Sequence, residues 1–114
     1  MSRRVWQRGD IVVASFDPTL GQEQQGRRPA MVVTQAALNR LGMIGVCPIT
    51  QGGLGARHAG LSVTLMGSGT QTQGIVLVHQ FRMIDPSQRS LTLIEQAPED
   101  LAEEVRARVA ALLD

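Results

Sequence analysis

Apolar residues recur along this chain in short, often β-branched bursts punctuated by glycine and proline, and only from Pro98 onward does the period change. DIVVASF (10–16) reads as a strand stopped by the turn-forming pair Asp17-Pro18. Pro29 introduces AMVVT (30–34) as a second strand, and AALNRL (36–41) predicts one or two helical turns closed by Gly42. GMIGVCPIT (42–50) is a third strand, with Pro48 restricting its late part to an edge or a bulge. LSVTL (61–65) alternates, so one face is buried and the other wet. GIVLVHQFRMID (74–85) is the longest strand candidate. Its alternation places Ile75, Leu77, His79, Phe81 and Met83 on one face, and Val76, Val78, Gln80, Arg82 and Ile84 on the other. SLTLI (90–94) is the last strand. QGGLGARHAG (51–60) and MGSGTQTQG (66–74), both rich in glycine, are loops.

After Pro98, Leu101, Val105, Val109 and Leu112 recur at helical spacing. Pro98 suits the first turn of that helix, and Glu99 and Asp100 suit its positive end. Five or six short strands and one terminal helix predict a mainly β fold, a small, strongly bent sheet or barrel. A length of 114 residues suits one compact domain, so residues 1–114 are expected to form a single unit.

Composition narrows the picture. Trp6, Phe16 and Phe81 are the whole aromatic supply, so the core must be aliphatic. The single Cys47 has no internal disulfide partner, and MSRRVWQRGD lacks the apolar run of a signal peptide or membrane span; a reducing, cytoplasmic setting with no membrane partner is expected. Net charge is only +1, but its distribution is uneven. Residues 1–97 carry nine arginines against five acids (+4), and residues 98–114 two against five (−3). Every basic residue is arginine, which suits bidentate grip on phosphate, although genome composition produces the same bias.

Several chemistries lose support. Cys47, His58 and His79 show no metal-site spacing, so no metal or other cofactor is expected. The GxG pieces have no accompanying P-loop lysine, no serine sits in a nucleophile elbow, and Cys47 lies inside an apolar strand. What remains is a polar set on loops and strand ends: Glu23, Gln24, Gln25, Arg28, Thr50, Gln51, Arg57, His58, His79, Gln80 and Arg82. Each has a plain structural reading, with Arg28 bonding carbonyls at a strand start, Glu23 pairing with it and Thr50 closing a strand. The amides of EQQG exceed what a turn requires, and amide, guanidinium and hydroxyl groups together suit phosphates and base edges.

RGDIVVASFDPTLGQEQQGRRPAMVVT, then NRLG, CPITQGG, ARHAG, GIVLVHQFRMID and a C-terminal helix, resembles the MazF/PemK (Kid) toxin family from end to end, with ChpB-type members nearest in pattern. The resemblance implies an SH3-like bent barrel of the PemK/CcdB type, a homodimer, and control by a cognate acidic antitoxin. It also implies a metal-independent endoribonuclease that cuts single-stranded mRNA by attack of the 2′-hydroxyl, leaving 2′,3′-cyclic phosphate and 5′-hydroxyl ends. On this basis Arg28, Thr50, Glu23 and His79 are the catalytic candidates: Arg28 for the phosphate oxygens, Thr50 for the phosphate or leaving group, and Glu23 as a base or an anchor for Arg28. Gln24, Gln25, Gln51, Arg57, Gln80 and Arg82 are the RNA-binding candidates. Kid-like members carry a histidine where this chain has Gln22, and an Arg-x-Asp pair where it has Leu77 and His79, so their acid-base scheme does not transfer. His79 then reads two ways, as a base or phosphate contact, or as a histidine bonded near the core. The rival from another class is a non-catalytic binder on the same barrel, a CcdB-like gyrase inhibitor or an RNA-binding paralogue. The helix ends VAALLD, without the tryptophan expected of CcdB-like chains.

Overall fold

The computed structural model describes residues 4–16, 27–51 and 60–114. Strand β1 (Asp10–Ser15) pairs antiparallel with β2 (Arg27–Val32), and β2 with β3 (Ile44–Thr50). A single helical turn, α1 (Ala36–Asn39), joins β2 to β3. Buried Asn39 fixes it, donating to the carbonyls of Trp6 (2.7 Å) and Thr34 (3.0 Å) and accepting from the Thr34 hydroxyl (2.6 Å). β4 (Ser62–Thr64), β5 (Ile75–Leu77), β6 (Arg82–Ile84) and β7 (Thr92–Gln96) follow, and α2 (Glu99–Ala111) ends the fold.

The strands run β4-β5-β3-β2-β1-β7, with β6 beside β3. β3 is the pivot: β6 covers its outer edge at Ile44–Val46 and β5 at Ile49 and Thr50. Pro48, expected at an edge or bulge, lies in an interior strand opposite Ala30, at the gap where that outer edge passes from β6 to β5. There its missing N–H breaks no ladder bond on that side. The strand expected over 74–85 is two short strands separated by a 3₁₀ turn at Val78–Gln80. The turn lets β5 and β6 share one edge of β3, which a single straight strand cannot do, and it breaks the expected alternation at His79.

β1, β2 and β3 each feed two cores. Ile11, Met31, Val33, Cys47 and Ile49 pack on one side with Val63, Leu65, Val76, Val78 and α2, which contributes Leu101 and Val105. Val12, Ala14, Phe16, Ala30, Val32, Ile44, Val46 and Ile84 form the other cluster. α2 approaches the sheet closely at Gly9 (φ 93°), where an added Cβ would lie 3.2 Å from the Ala102 Cβ. As predicted, α2 buries Leu101 and Val105 and half-buries Val109, whereas Leu112 lies just past its end and is exposed. No helix among the described residues is long and apolar enough to cross a membrane.

Two carboxylates tie the strands together. Asp10, almost fully buried, accepts hydrogen bonds from Arg4 (3.1 Å), the Gln7 N–H (2.9 Å) and the Gln96 amide (2.7 Å), the compensation a buried charge requires. Glu95 on β7 accepts from the N–H groups of Gln71 (3.0 Å) and Thr72 (2.8 Å) and from the Thr72 hydroxyl (2.7 Å). β7 ends one side of the strand order and the β4–β5 hairpin the other, so Glu95 latches the two margins of the curled sheet. Burial raises its pKa, but the bonds from Thr72 and Gln71 more than offset this and hold the carboxyl below its usual value.

Candidate functional site

Strand alternation decides which polar residues meet. On β2, Ala30 and Val32 belong to one core and Met31 and Val33 to the other, so Arg28 lies on the Ala30 side. On β3, Ile44 and Val46 face that same side and Cys47 and Ile49 the opposite one, which assigns Pro48 and Thr50 to the face of Arg28. Ala30 pairs with Pro48. The paired register ends there; carried two residues further it would set Arg28 across from Thr50, at the spacing of cross-strand neighbours. Arg28 is exposed and Thr50 half-buried. The sequence had put Arg28 in a segment before the strand; in the structure it lies inside β2, paired with Ala14.

The position of Thr50 depends on Gly74. This glycine adopts φ 125°, and a side chain on it would run into the Thr50 carbonyl. The residue leading into β5 can therefore press against the end of β3 only because it has no Cβ. The loop before Gly74 is built from its own hydrogen bonds, Ser68 and Thr70 hydroxyls 2.9 Å apart and Thr70 donating to the Thr72 carbonyl (2.8 Å), and it hangs on the Glu95 latch.

Arg82 pairs with Val46 and shares the Arg28 face, about 13 Å along β3 from Thr50 at strand rise. Its guanidinium stacks over Phe16, 5.6 Å from the ring centroid, a contact from the end of β1 to β6 that requires the face to curl. Arg82 is half-buried and packed, unlike a freely solvated arginine. His79 and Gln80 are both exposed on the 3₁₀ turn. The core reading of His79 is thereby corrected: the turn lifts it off the apolar strand face. Gln51 is exposed directly after β3. Glu23, Gln24, Gln25, Arg57 and His58 lie outside the described residues.

Other chemistry finds little footing. Cys47 is fully buried, and burial pushes its thiol up to about 12, far from a reactive thiolate. Among the described residues no three His, Cys, Asp or Glu side chains gather. The groups on the Arg28 face are guanidinium and hydroxyl, suited to holding an oxyanion. Sequence reasoning missed Arg27, Gly74 and Glu95. The lone acid in the apolar run SLTLIEQ and the arginine doublet were the available signals; nothing local distinguished Gly74 from the other loop glycines.

Comparison with known proteins points one way. The sequence profile of the family described as PemK-like, MazF-like toxin of type II toxin-antitoxin system matches residues 7–113. The chain is 46% identical over 110 residues to the endoribonuclease toxin ChpB of Escherichia coli K12, covering 96% of this chain and 95% of that protein. The crystal structure of MazF from Deinococcus radiodurans superposes with a TM-score of 0.83 at 34% identity, covering 97% and 98% of the two chains. A MazE-MazF crystal structure from the same organism gives 0.80 at 35% identity, covering 97% of each chain. The bent barrel of PemK type expected from the sequence is thus the observed fold.

Proposed function

The chain belongs to the PemK-like, MazF-like toxins of type II toxin-antitoxin systems, and from that premise we propose that it is a metal-independent endoribonuclease acting on single-stranded mRNA at preferred sequences. One observation carries the reading to the residue level. Arg28 and Thr50 lie on one face of β2 and β3, both just beyond the Ala30–Pro48 pair, in a chain nearly half identical to an endoribonuclease toxin over most of its length. That likeness to named endoribonucleases favours cleavage over the gyrase-poison alternative.

Cleavage by the 2′-hydroxyl needs a base near the 2′-oxygen, stabilisation of the dianionic phosphorane, and an acid near the departing 5′-oxygen. Arg28 supplies the second, its fork holding the non-bridging oxygens as charge builds. The Thr50 hydroxyl, neighbouring it, bonds the phosphate or places the leaving oxygen. Proton transfer falls to Glu23 and His79, the latter on the exposed turn that follows β5. Gln51, Gln80 and Arg82, with Gln24, Gln25 and Arg57, hold the RNA. Arg82 on Phe16 is a rigid stacking plane that a chain poor in aromatics can offer to a base.

The working form is a cytoplasmic homodimer held in check by an acidic antitoxin whose carboxylates occupy the arginine-bearing face. The existence of a MazE-MazF complex among structures of this fold supports the antitoxin partner. The test is incubation of the pure protein with a long single-stranded RNA in EDTA and mapping of the ends. We expect 5′-hydroxyl ends at recurrent sequences, lost in a folded Arg28→Ala variant. Full cutting by that variant would overturn the site, and intact RNA with the wild type would overturn the activity.

A further inference from the structure

The doublet Arg27-Arg28 places two guanidinium groups side by side in sequence, and the strand separates them. Arg28 lies on the Ala30 face, and Arg27, one residue earlier, on the face of Met31 and Val33. There Arg27 reaches across β1 to the start of β7. Its Nη1 donates to the Ser90 carbonyl (2.8 Å) and its Nη2 to the Thr92 hydroxyl (3.2 Å). Two strand spacings, about 10 Å, separate β2 from β7, so the side chain must be extended to make this bridge. The backbone supports it: the Ser15 N–H donates to the Arg89 carbonyl (2.8 Å), and Ser15 is the register partner of Arg27.

Two details give this bridge a purpose beyond surface decoration. Ser15 with Arg27 is the last pair of the β1–β2 ladder, the point where a strand frays. Ser90, which presents the accepting carbonyl, is the one non-glycine residue with positive φ (51°) among the described residues, a conformation that needs outside support. A planar fork with two donors on two acceptors fixes both distance and angle, which a single ammonium does not.

We infer that Arg27 is a positioning residue that ties the start of β2 to the start of β7 across β1 and thereby sets the direction from which Arg28 meets the phosphate; the inference rests on the nuclease reading above. It assigns the two arginines different work. Arg28 touches substrate, and Arg27 never does.

The competing role for an exposed arginine in such a protein is direct contact with an RNA phosphate, and salt dependence separates the two. Removing a phosphate contact from single-strand binding lowers the log-log salt slope by about 0.7. Cleavage of a short single-stranded RNA containing one mapped site would be followed in wild type, Arg27→Ala, Arg27→Lys, Thr92→Val and the Arg27→Ala/Thr92→Val double variant, with circular dichroism and melting curves for each. Positioning predicts a kcat on the order of tenfold lower for Arg27→Ala with KM and its salt slope unchanged. It also predicts an intermediate kcat for Arg27→Lys, a smaller loss for Thr92→Val, and a double variant no worse than Arg27→Ala. A raised KM with a flattened salt slope and unchanged kcat would overturn the inference, as would a kcat at the wild-type level in both Arg27→Ala and Thr92→Val. Should Arg27→Ala not fold, Arg27→Lys and Thr92→Val decide by the same kcat and salt-slope criteria. Failure of the nuclease reading looks different: wild type leaves the RNA intact, or Arg28→Ala cuts normally.

Discussion

The two faces of the sheet are made from the same strands and behave as different materials. Facing α2, Met31, Cys47, Ile49 and Val105 interlock in a sealed aliphatic core, and each is at most 2% exposed. On the other face, the cluster around Val12, Ala30 and Val46 gives way toward one end to Arg28 and Thr50, with Arg82 on its β6 border. Alternation lets one strand serve both faces: Met31 is sealed under α2, while Ala30 and Val32 are buried on the other side, where Arg28, the proposed phosphate contact, lies exposed at the strand's start. The separation implies that stability and activity can be damaged independently.

The largest expected effect is on the working face. If Arg28 holds the phosphate as proposed, Arg28→Ala should lower kcat by about 10²–10³ through loss of a partner for transition-state charge, and its exposure predicts a melting temperature close to wild type. Next comes the sealed face. Val105→Ala removes two buried methyl groups from the helix-to-sheet contact and should destabilise by about 2 kcal/mol in urea unfolding. Its kcat per folded molecule should stay at the wild-type value; a parallel fall in kcat would mean that the faces are coupled.

This division was half legible in the sequence. Helical spacing from Leu101 to Val109 located α2, and β-branched runs located β1 and β3, because local period alone decides such elements. The 3₁₀ turn at Val78–Gln80 was not legible: GIVLVHQFRMID has unbroken strand propensity, and only the demand that β5 and β6 share one edge of β3 breaks it. For the same reason the sequence leaves His79 open between an exposed contact and a core histidine, and the turn exposes it. Arg28 and Thr50 could be chosen from motif resemblance, but their sharing one face is a property of strand alternation and register. Register depends on pairings across the sheet that no short stretch encodes.

Gly74 tests whether the placement of Thr50 is tight. In Gly74→Ala a Cβ meets the Thr50 carbonyl at a backbone φ of 125°, so the end of β3 must shift. A loss of about 1–3 kcal/mol in stability is expected. Alongside it, kcat should fall about tenfold, a barrier change near 1.4 kcal/mol, with KM little altered. Undiminished kcat in the folded protein would show that Thr50 tolerates displacement and that the working face is looser than the register suggests.

A smaller effect should come from the Glu95 latch, and its sign follows from protonation. The folded-state carboxyl lies below its ordinary value of 4.5, so the latch stabilises above that pH and is lost as pH falls through the folded pKa. Between neutral pH and about pH 3.5, wild type should therefore lose more melting temperature than Glu95→Gln, which carries no charge to neutralise. Equal losses would remove the carboxylate from the account of barrel closure.

The smallest effect belongs to the outer side of α2, where Arg106 clasps Glu103 (2.6 Å) and Arg108 meets Glu104 (3.2 Å) in solvent. The Arg106 hydrogen bond draws the Glu103 carboxyl below its usual pKa, but solvent and salt screen the pair, and holding two long side chains in one geometry opposes the attraction. Glu103→Gln should leave both the melting curve and kcat indistinguishable from wild type at physiological salt. A clear loss of activity would instead tie this flank of α2 to RNA or to the proposed dimer contact, and the contrast between a sealed face and a working face would have to admit a third surface.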